Sequence, residues 1–147
     1  MTLKVQHGGW VRSSIKVSAS ETTIWRAGRV LKVDANGEVI VHDSSATGIV
    51  GLALEDRVDL TAHGPTTSST KGTPSGEQAA ILLDPAYIEA DDQLASGITF
   101  VPQSTVYSDS SGKLTTASSV NRVLGIAKNT AVANAGDSLE FMFSPQY

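Results

Sequence analysis

The sequence predicts an all-β fold, a small β-barrel or β-sandwich with an internally repeated hairpin unit and an extended N-terminal arm. Three observations predict it. Helical periodicity never builds up, because Gly and Asn-Gly breaks interrupt the chain before a helical period can establish itself. Short β-prone runs instead alternate with Ser, Thr, Asn and Gly turn clusters, the spacing of a sandwich or barrel. A strand–turn–strand unit is also used twice. At 147 residues the chain fits one domain, long enough to bury a core without covalent staples.

The elements follow in order. Trp10 to Val17 alternates strictly, with Val11, Ser13, Ile15 and Val17 on one face and Trp10, Arg12, Ser14 and Lys16 on the other. Arg29–Asp34 and Glu38–Asp43 read as two strands joined at Asp34-Ala35-Asn36-Gly37, where Asn36-Gly37 supplies the positive φ of a tight hairpin. The apolar run Ile49 to Leu54 reads as a strand buried on both faces, and its Gly51 and Ala53 imply a closely packed neighbour. Residues 61–76, rich in Gly, Pro, Ser and Thr, read as a long flexible loop. A short apolar run from Ala79 to Asp84 ends at Pro85, and Tyr87–Asp92 is the one segment that could form a helical turn. Strands resume near Ile98–Val101, Thr105–Ser108, Val123–Lys128 and Ser138–Phe143. In the last of these Leu139, Phe141 and Phe143 share a core-facing side. This organisation divides the chain into an N-terminal arm or edge strand, residues 1–24, and a β domain, residues 25–147.

The repeat is the most informative feature. Val33-Asp34-Ala35-Asn36-Gly37-Glu38-Val39 leads to Ile49-Val50-Gly51-Leu52-Ala53. Tyr107-Ser108-Asp109-Ser110-Ser111-Gly112-Lys113-Leu114 leads to Val123-Leu124-Gly125-Ile126-Ala127. Each copy has Asp-x-x-Gly, a second strand, and an apolar strand containing Gly-(Leu/Ile)-Ala. Asp accepts backbone N–H bonds in a tight turn, and Gly takes the left-handed position. Two such copies can pack as related halves of one body, although Asp-x-x-Gly turns are also common in unrelated hairpins.

Composition narrows the function classes. Cys is absent, which removes disulfides, thiolate nucleophiles and Cys-based zinc sites. No apolar run approaches a spanning length, and Met1-Thr2-Leu3-Lys4 does not open a secretory leader, so no membrane association is expected. The formal charge of −4 is uneven. Residues 1–33 hold Lys4, Arg12, Lys16, Arg26, Arg29 and Lys32 against Glu21 alone, whereas the remainder is strongly acidic. Such asymmetry marks an interaction arm or a head-to-tail contact between copies, or else two strand groups solvated differently. Nucleic acid is a poor partner for a domain acidic over most of its length.

No catalytic centre is visible, and the chain is not expected to be an enzyme. His7, His42 and His63 lack companions at metal-ligand spacing, and His42-Asp43 are strand neighbours pointing to opposite faces. The carboxylates at Glu89, Asp91 and Asp92 read as a solvated turn rather than a calcium site or a glycosidase pair. Ser13-Ser14-Ile15-Lys16 spells Ser-x-x-Lys, but Ser13 and Lys16 fall on opposite strand faces, and no other element of a Ser–Lys enzyme accompanies it. No metal or cofactor is therefore expected. Binding features fare better: Trp10, Arg12 and Lys16 share a strand face, and Trp25-Arg26 forms a second aromatic–basic pair. The candidate partner-binding residues are Trp10, Arg12, Lys16 and Arg26, with Trp25 read as a core anchor.

Ala27-Gly28-Arg29-Val30-Leu31, the Asp34–Gly37 turn, Ile49 to Glu55, Val123 to Ala127 and Ala135-Gly136-Asp137-Ser138-Leu139 together span most of residues 25–143. In this pattern the chain resembles the capsid decoration, or cement, proteins of tailed bacteriophages with a β-tulip or β-barrel core. The resemblance implies a virion structural protein on the outer capsid surface, made in the host cytoplasm. It would bind the major capsid protein and bridge neighbouring capsomers. It also implies a symmetric homo-oligomer, most often a trimer, with a dimer as the alternative. Residues 1–24 would be the arm, their basic character matched to an acidic capsid. The rival reading is a β-sandwich adhesion or carbohydrate-binding module of a phage fibre, which would need exposed aromatics that this chain has in small number.

Overall fold

The computed structural model describes residues 3–8, 12–43, 48–59, 69–71, 78–91, 93–118, 122–133 and 135–144. Among them are fifteen strands and no helix. The fold is all-β and consistent with a small barrel or sandwich.

The first sheet takes β2 (Arg12–Lys16), β3 (Val30–Val33), β4 (Val39–Val41), β5 (Val50–Ala53) and β8 (Gln78–Leu82), in the order β2-β8-β5-β3-β4. The second takes β1 (Leu3–Gly8), β9 (Ala86–Ala90), β11 (Thr105–Ser108), β12 (Leu114–Thr115), β13 (Arg122–Ala127) and β15 (Leu139–Phe143), in the order β1-β9-β15-β13-β11-β12. Apart from the added β1, the two orders are the same. β2, β3, β4, β5 and β8 correspond in turn to β9, β11, β12, β13 and β15, with every pairing antiparallel.

Smaller features repeat as well. β10 (Thr99–Phe100) pairs with β14 (Ala131–Val132), and at the matching place the first half joins Trp25 to Arg57 through an isolated bridge. Val17 bridges Val39 in one half, and Leu94 bridges Leu114 in the other. The Gly28 N–H donates to Ala53 O at 2.8 Å, and the Gln103 N–H donates to Ala127 O at 2.9 Å. Gly28 and Gln103 both have positive φ, and Gln103 is the one non-glycine residue so placed among those described. The chain is therefore a tandem duplication, and the hairpin motif seen in the sequence is its best-preserved piece.

The two turns show why that piece survives. Asp34 Oδ1 accepts from the N–H groups of Asn36 and Glu38 at 2.8 and 3.0 Å, and Asp109 Oδ1 accepts from Ser111 and Lys113 at the same two distances. The Gly37 N–H closes onto Asp34 O, as Gly112 closes onto Asp109 O. Within each turn the glycine alone takes positive φ, +75° at Gly37 and +74° at Gly112, so each turn is of type I followed by a glycine bulge. The hairpin turns at Asp34–Gly37 as read from the sequence, with Gly37 alone supplying the positive φ and Asn36 staying at negative φ.

Each half has its own core. In the first, Val17, Trp25, Leu31, Val39, Ala53, Ala79 and Ile81 cluster. In the second, the matching positions hold Leu94, Phe100, Val106, Leu114, Ala127, Leu139 and Phe141. The outer face of the first sheet, through Val30, Leu52 and Leu82, joins this second cluster and fuses the halves. Both sides of β5 are thereby buried, as its apolar run predicts.

Tyr87–Asp92 is not a helical turn. Ala86–Ala90 is strand β9, whose Ala86, Ile88 and Ala90 point inward while Tyr87 and Glu89 alternate outward. Residues 3–8 and 12–16 occupy outer positions of the two sheets, β1 against β9 and β2 against β8. Most of the 61–76 loop lies outside the described residues; Ser69–Lys71 form β7, which pairs in parallel with β6 (Arg57–Asp59).

The glycines yield a paired test. A Cβ on Gly37 would meet nothing within 4 Å, whereas on Gly112 it would lie 2.7 Å from Val30 O. Gly37→Ala is expected to cost about 1 kcal/mol through φ alone, and Gly112→Ala about 2–3 kcal/mol more through overpacking. Urea unfolding of the two variants measures the difference.

Candidate functional site

A pocket of about 360 Å³ opens beside the Trp25 bridge, where the two halves meet. Its walls come from Trp25, Arg26, Arg29 and Arg57 of the first half and Gln93 of the second, with Asp56 the acid among them. Local folding places each group. The Asp56 carboxylate accepts from the Ala27 N–H at 2.8 Å, which pins the loop after Trp25 to the loop after β5. Trp25 and Arg57 exchange backbone hydrogen bonds of 2.8 and 3.3 Å across that junction.

Arg57 is buried and is the largest fully buried side chain among the described residues. Its Nη1 donates to Thr23 O at 2.6 Å and its Nη2 to Glu21 O at 3.1 Å, while the guanidinium lies 5.2 Å from the Trp25 ring centroid. A planar guanidinium reaches the two carbonyls through separate nitrogens while its face lies toward the indole, a geometry that one ammonium nitrogen does not reproduce. Glu21 extends this frame: its carboxylate accepts from the N–H groups of Thr23 and Val41, holding the segment against β4. The Trp25 indole N–H has no acceptor among the described residues.

Arg29 crosses the junction. Its Nε donates to Ser111 O at 2.6 Å and its Nη1 to Gln93 Oε1 at 3.1 Å, both in the second half. Burial lowers its pKa, opposed by the charges of Asp109 and Glu21. Nearby, His42 Nδ1 and Ser108 Oγ lie 2.8 Å apart, both buried, forming a second polar link across the halves. The hydrogen bonds described for Arg57, Arg29 and His42 run to backbone carbonyls, the Gln93 amide and the Ser108 hydroxyl. No cluster of three or more potential metal ligands occurs among the described residues.

The four residues expected to bind a partner are not gathered in one place. Trp10 lies outside the described residues. Arg12 opens β2 opposite Leu82, and Lys16 closes the same strand opposite Gln78. Lys16 Nζ lies 3.1 Å from Glu38 in an ion pair whose lysine is exposed and whose carboxylate is partly buried. Arg26 is exposed and lines the pocket, whose walls include neither Arg12 nor Lys16. Trp25 is only 3% exposed, so it anchors a core and offers no stacking surface. His7 lies in β1, and His63 falls outside the described residues.

Sequence reasoning missed Arg57, Arg29 and Gln93 as members of one site. Glu55-Asp56-Arg57 is a run of three charged residues, and nothing local announces that its third residue folds inward. The signal lies in comparison of the halves, since Arg57 occupies the position of Ala131 and Trp25 that of Phe100. No family model matches the chain, and no curated protein is significantly similar to it.

Two stability outcomes follow from this geometry. Arg57→Lys should cost about 2 kcal/mol in urea unfolding, because one ammonium leaves a buried carbonyl without a donor. Lys16→Ala should change stability by no more than about 0.5 kcal/mol, as the pair with Glu38 is solvated at its lysine end and contributes little.

Proposed function

We propose that this protein is a structural component of a tailed-phage virion that binds the outer capsid surface and bridges neighbouring capsomers of the major capsid protein. The observation that carries this reading is the duplication. One chain presents two versions of the same ribbon, Trp25 with Arg57 in the first half and β10 with β14 in the second. Each ribbon exposes apolar side chains, Ile24 beside the first and Val101 and Val132 on or beside the second. Two like contact points held at fixed separation suit a surface that itself repeats, since the second contact forms at high effective concentration once the first is made.

Charge supports the same reading. Arg12 and Lys16 lie on a sheet-edge strand, and the Lys16–Glu38 pair is exposed enough at its lysine to exchange for an acidic partner at small cost. The resulting contact is mechanical: distributed area and modest individual interactions resist outward pressure from packaged DNA.

Adding purified protein to expanded, undecorated phage heads should give saturable co-sedimentation at a fixed ratio per capsomer. Absence of binding at any ratio would sink the reading. Reversing both edge charges, Arg12→Glu with Lys16→Glu, should weaken head binding about tenfold, or about 1.4 kcal/mol, and the wild-type affinity should fall as salt is raised.

A further inference from the structure

The duplication gives the pocket beside Trp25 an internal control. The turn that carries Arg26 and Arg29 has a twin in the second half, held by the same backbone hydrogen bonds. The Arg29 N–H donates to Arg26 O as the Ser104 N–H donates to Val101 O, and the Ala53 N–H donates to Arg29 O as the Ala127 N–H donates to Ser104 O. Arg26 and Arg29 therefore occupy the places of Val101 and Ser104, and Arg57 occupies that of Ala131. One ribbon carries three arginines and the other Val, Ser and Ala on the same backbone. The backbone pattern forms either way, so it does not account for the three cations.

All three line the pocket of about 360 Å³, whose walls also hold Asp56. Arg57 is committed to the carbonyls of Thr23 and Glu21, and Asp56 to the Ala27 N–H. Arg29 is different. It spends Nε on Ser111 O and Nη1 on Gln93 Oε1, while its Nη2 meets no acceptor and it forms no ion pair among the described residues. Asp109 and Glu21 act on it by charge, yet their own oxygens take backbone N–H groups of Ser111, Lys113, Thr23 and Val41. Burial lowers the Arg29 pKa, so an anion set beside it would offset a desolvation cost already incurred. The Trp25 indole N–H, in the same wall, is a second donor without an acceptor among the described residues. The pocket is thus richer in donors than in acceptors.

We propose that this pocket binds a carboxylate carried on an apolar body, Arg29 and Arg26 taking the charge and Ile24 the apolar part. A guanidinium presents a planar fork that matches a carboxylate with two parallel hydrogen bonds. Ile24 is 49% exposed and gives the wall a large apolar surface that water otherwise covers. Three arginines against Asp56 leave a positive excess, which Glu21 and Asp109 beside Arg29 reduce, so a monoanion suits the pocket better than a phosphate dianion. Two sources present this group, a free organic acid and an acidic side chain of another protein. The inference concerns the isolated chain and does not rest on capsid binding.

Nuclear magnetic resonance titration of the nitrogen-labelled full chain tests it, with the Trp25 indole N–H signal assigned by a Trp10→Phe variant. Hexanoate should shift that signal saturably, with half-saturation at about 1–10 mM, and hexanol at the same concentration and ionic strength should not. Arg29→Gln should weaken hexanoate binding about tenfold, as loss of a charged hydrogen-bond fork predicts. Lys128→Ala, a cation paired with Glu140 away from the pocket, should leave it unchanged. Tighter binding of the peptide acetyl-Leu-Glu-Leu-amide than of hexanoate identifies a protein side chain as the source, and the reverse order a free acid. Absence of a saturable shift with both probes up to about 50 mM, or equal shifts with hexanol and hexanoate, overturns the proposal. Should Arg29→Gln fail to fold, Arg26→Gln decides, since Arg26 is exposed: weakened binding supports the site, and unchanged binding rejects it.

Discussion

The row Val30–Leu52–Leu82 is the constraint on which the rest of the molecule depends. A five-stranded sheet curled around its own core still has an outer face, and in the first half that face is strongly apolar. Left in water, three large aliphatic side chains would each forfeit roughly 1.5–3 kcal/mol of burial. The second half supplies the cover, and every polar link across the junction follows from having made that contact. Arg29 reaches Ser111 and Gln93, His42 meets Ser108, and Gly112 stays glycine because Val30 O lies where its side chain would be.

Duplication also makes the chain its own control. Where the second half uses Phe100 and Ala131, an ordinary apolar pair, the first uses Trp25 and Arg57. The shared backbone does not require a buried guanidinium, since the other copy closes the same ribbon without one. The larger indole and the arginine brace the Glu21–Thr23 segment by its carbonyls, whereas β10 and β14 pair directly. A similar divergence separates the loops: Ala53 is followed by a long excursion before Ala79, while Ala127 is followed closely by Leu139. The excursion and Arg57, which begins the strand leading into it, belong to the same half.

What the sequence made legible was whatever had to stay the same in both copies. Asp34 and Asp109 are fixed by two N–H groups each, and Gly51 and Gly125 by the carbonyls of Leu82 and Met142, which stand where a Cβ would go. These positions tolerate little chemical variety, so they match by eye. The correspondence of β2 with β9 and of β8 with β15 was not legible, because Ser13 and Ile88, or Ala79 and Leu139, satisfy the same place in a strand with different volumes. β9 was obscured for another reason: Tyr87 and Glu89 alternate with small or branched residues over too short a span to separate the strand period from one helical turn. The pocket was the least legible part, since membership depends on Gln93 and Arg29 meeting from opposite halves.

The N-terminal strand adds a mechanical property. β1 lies on β9 in the second sheet, and β2, the next strand in the chain, lies in the first sheet. β1 and β2 therefore work as a clasp, one gripping the second half and the other the first. β1 is antiparallel to β9, and β9 to β15, so β1 and β15 run in the same direction. Tension between Leu3 and Phe143 pulls along these strands and loads their ladders in shear, many hydrogen bonds resisting together instead of unzipping in turn.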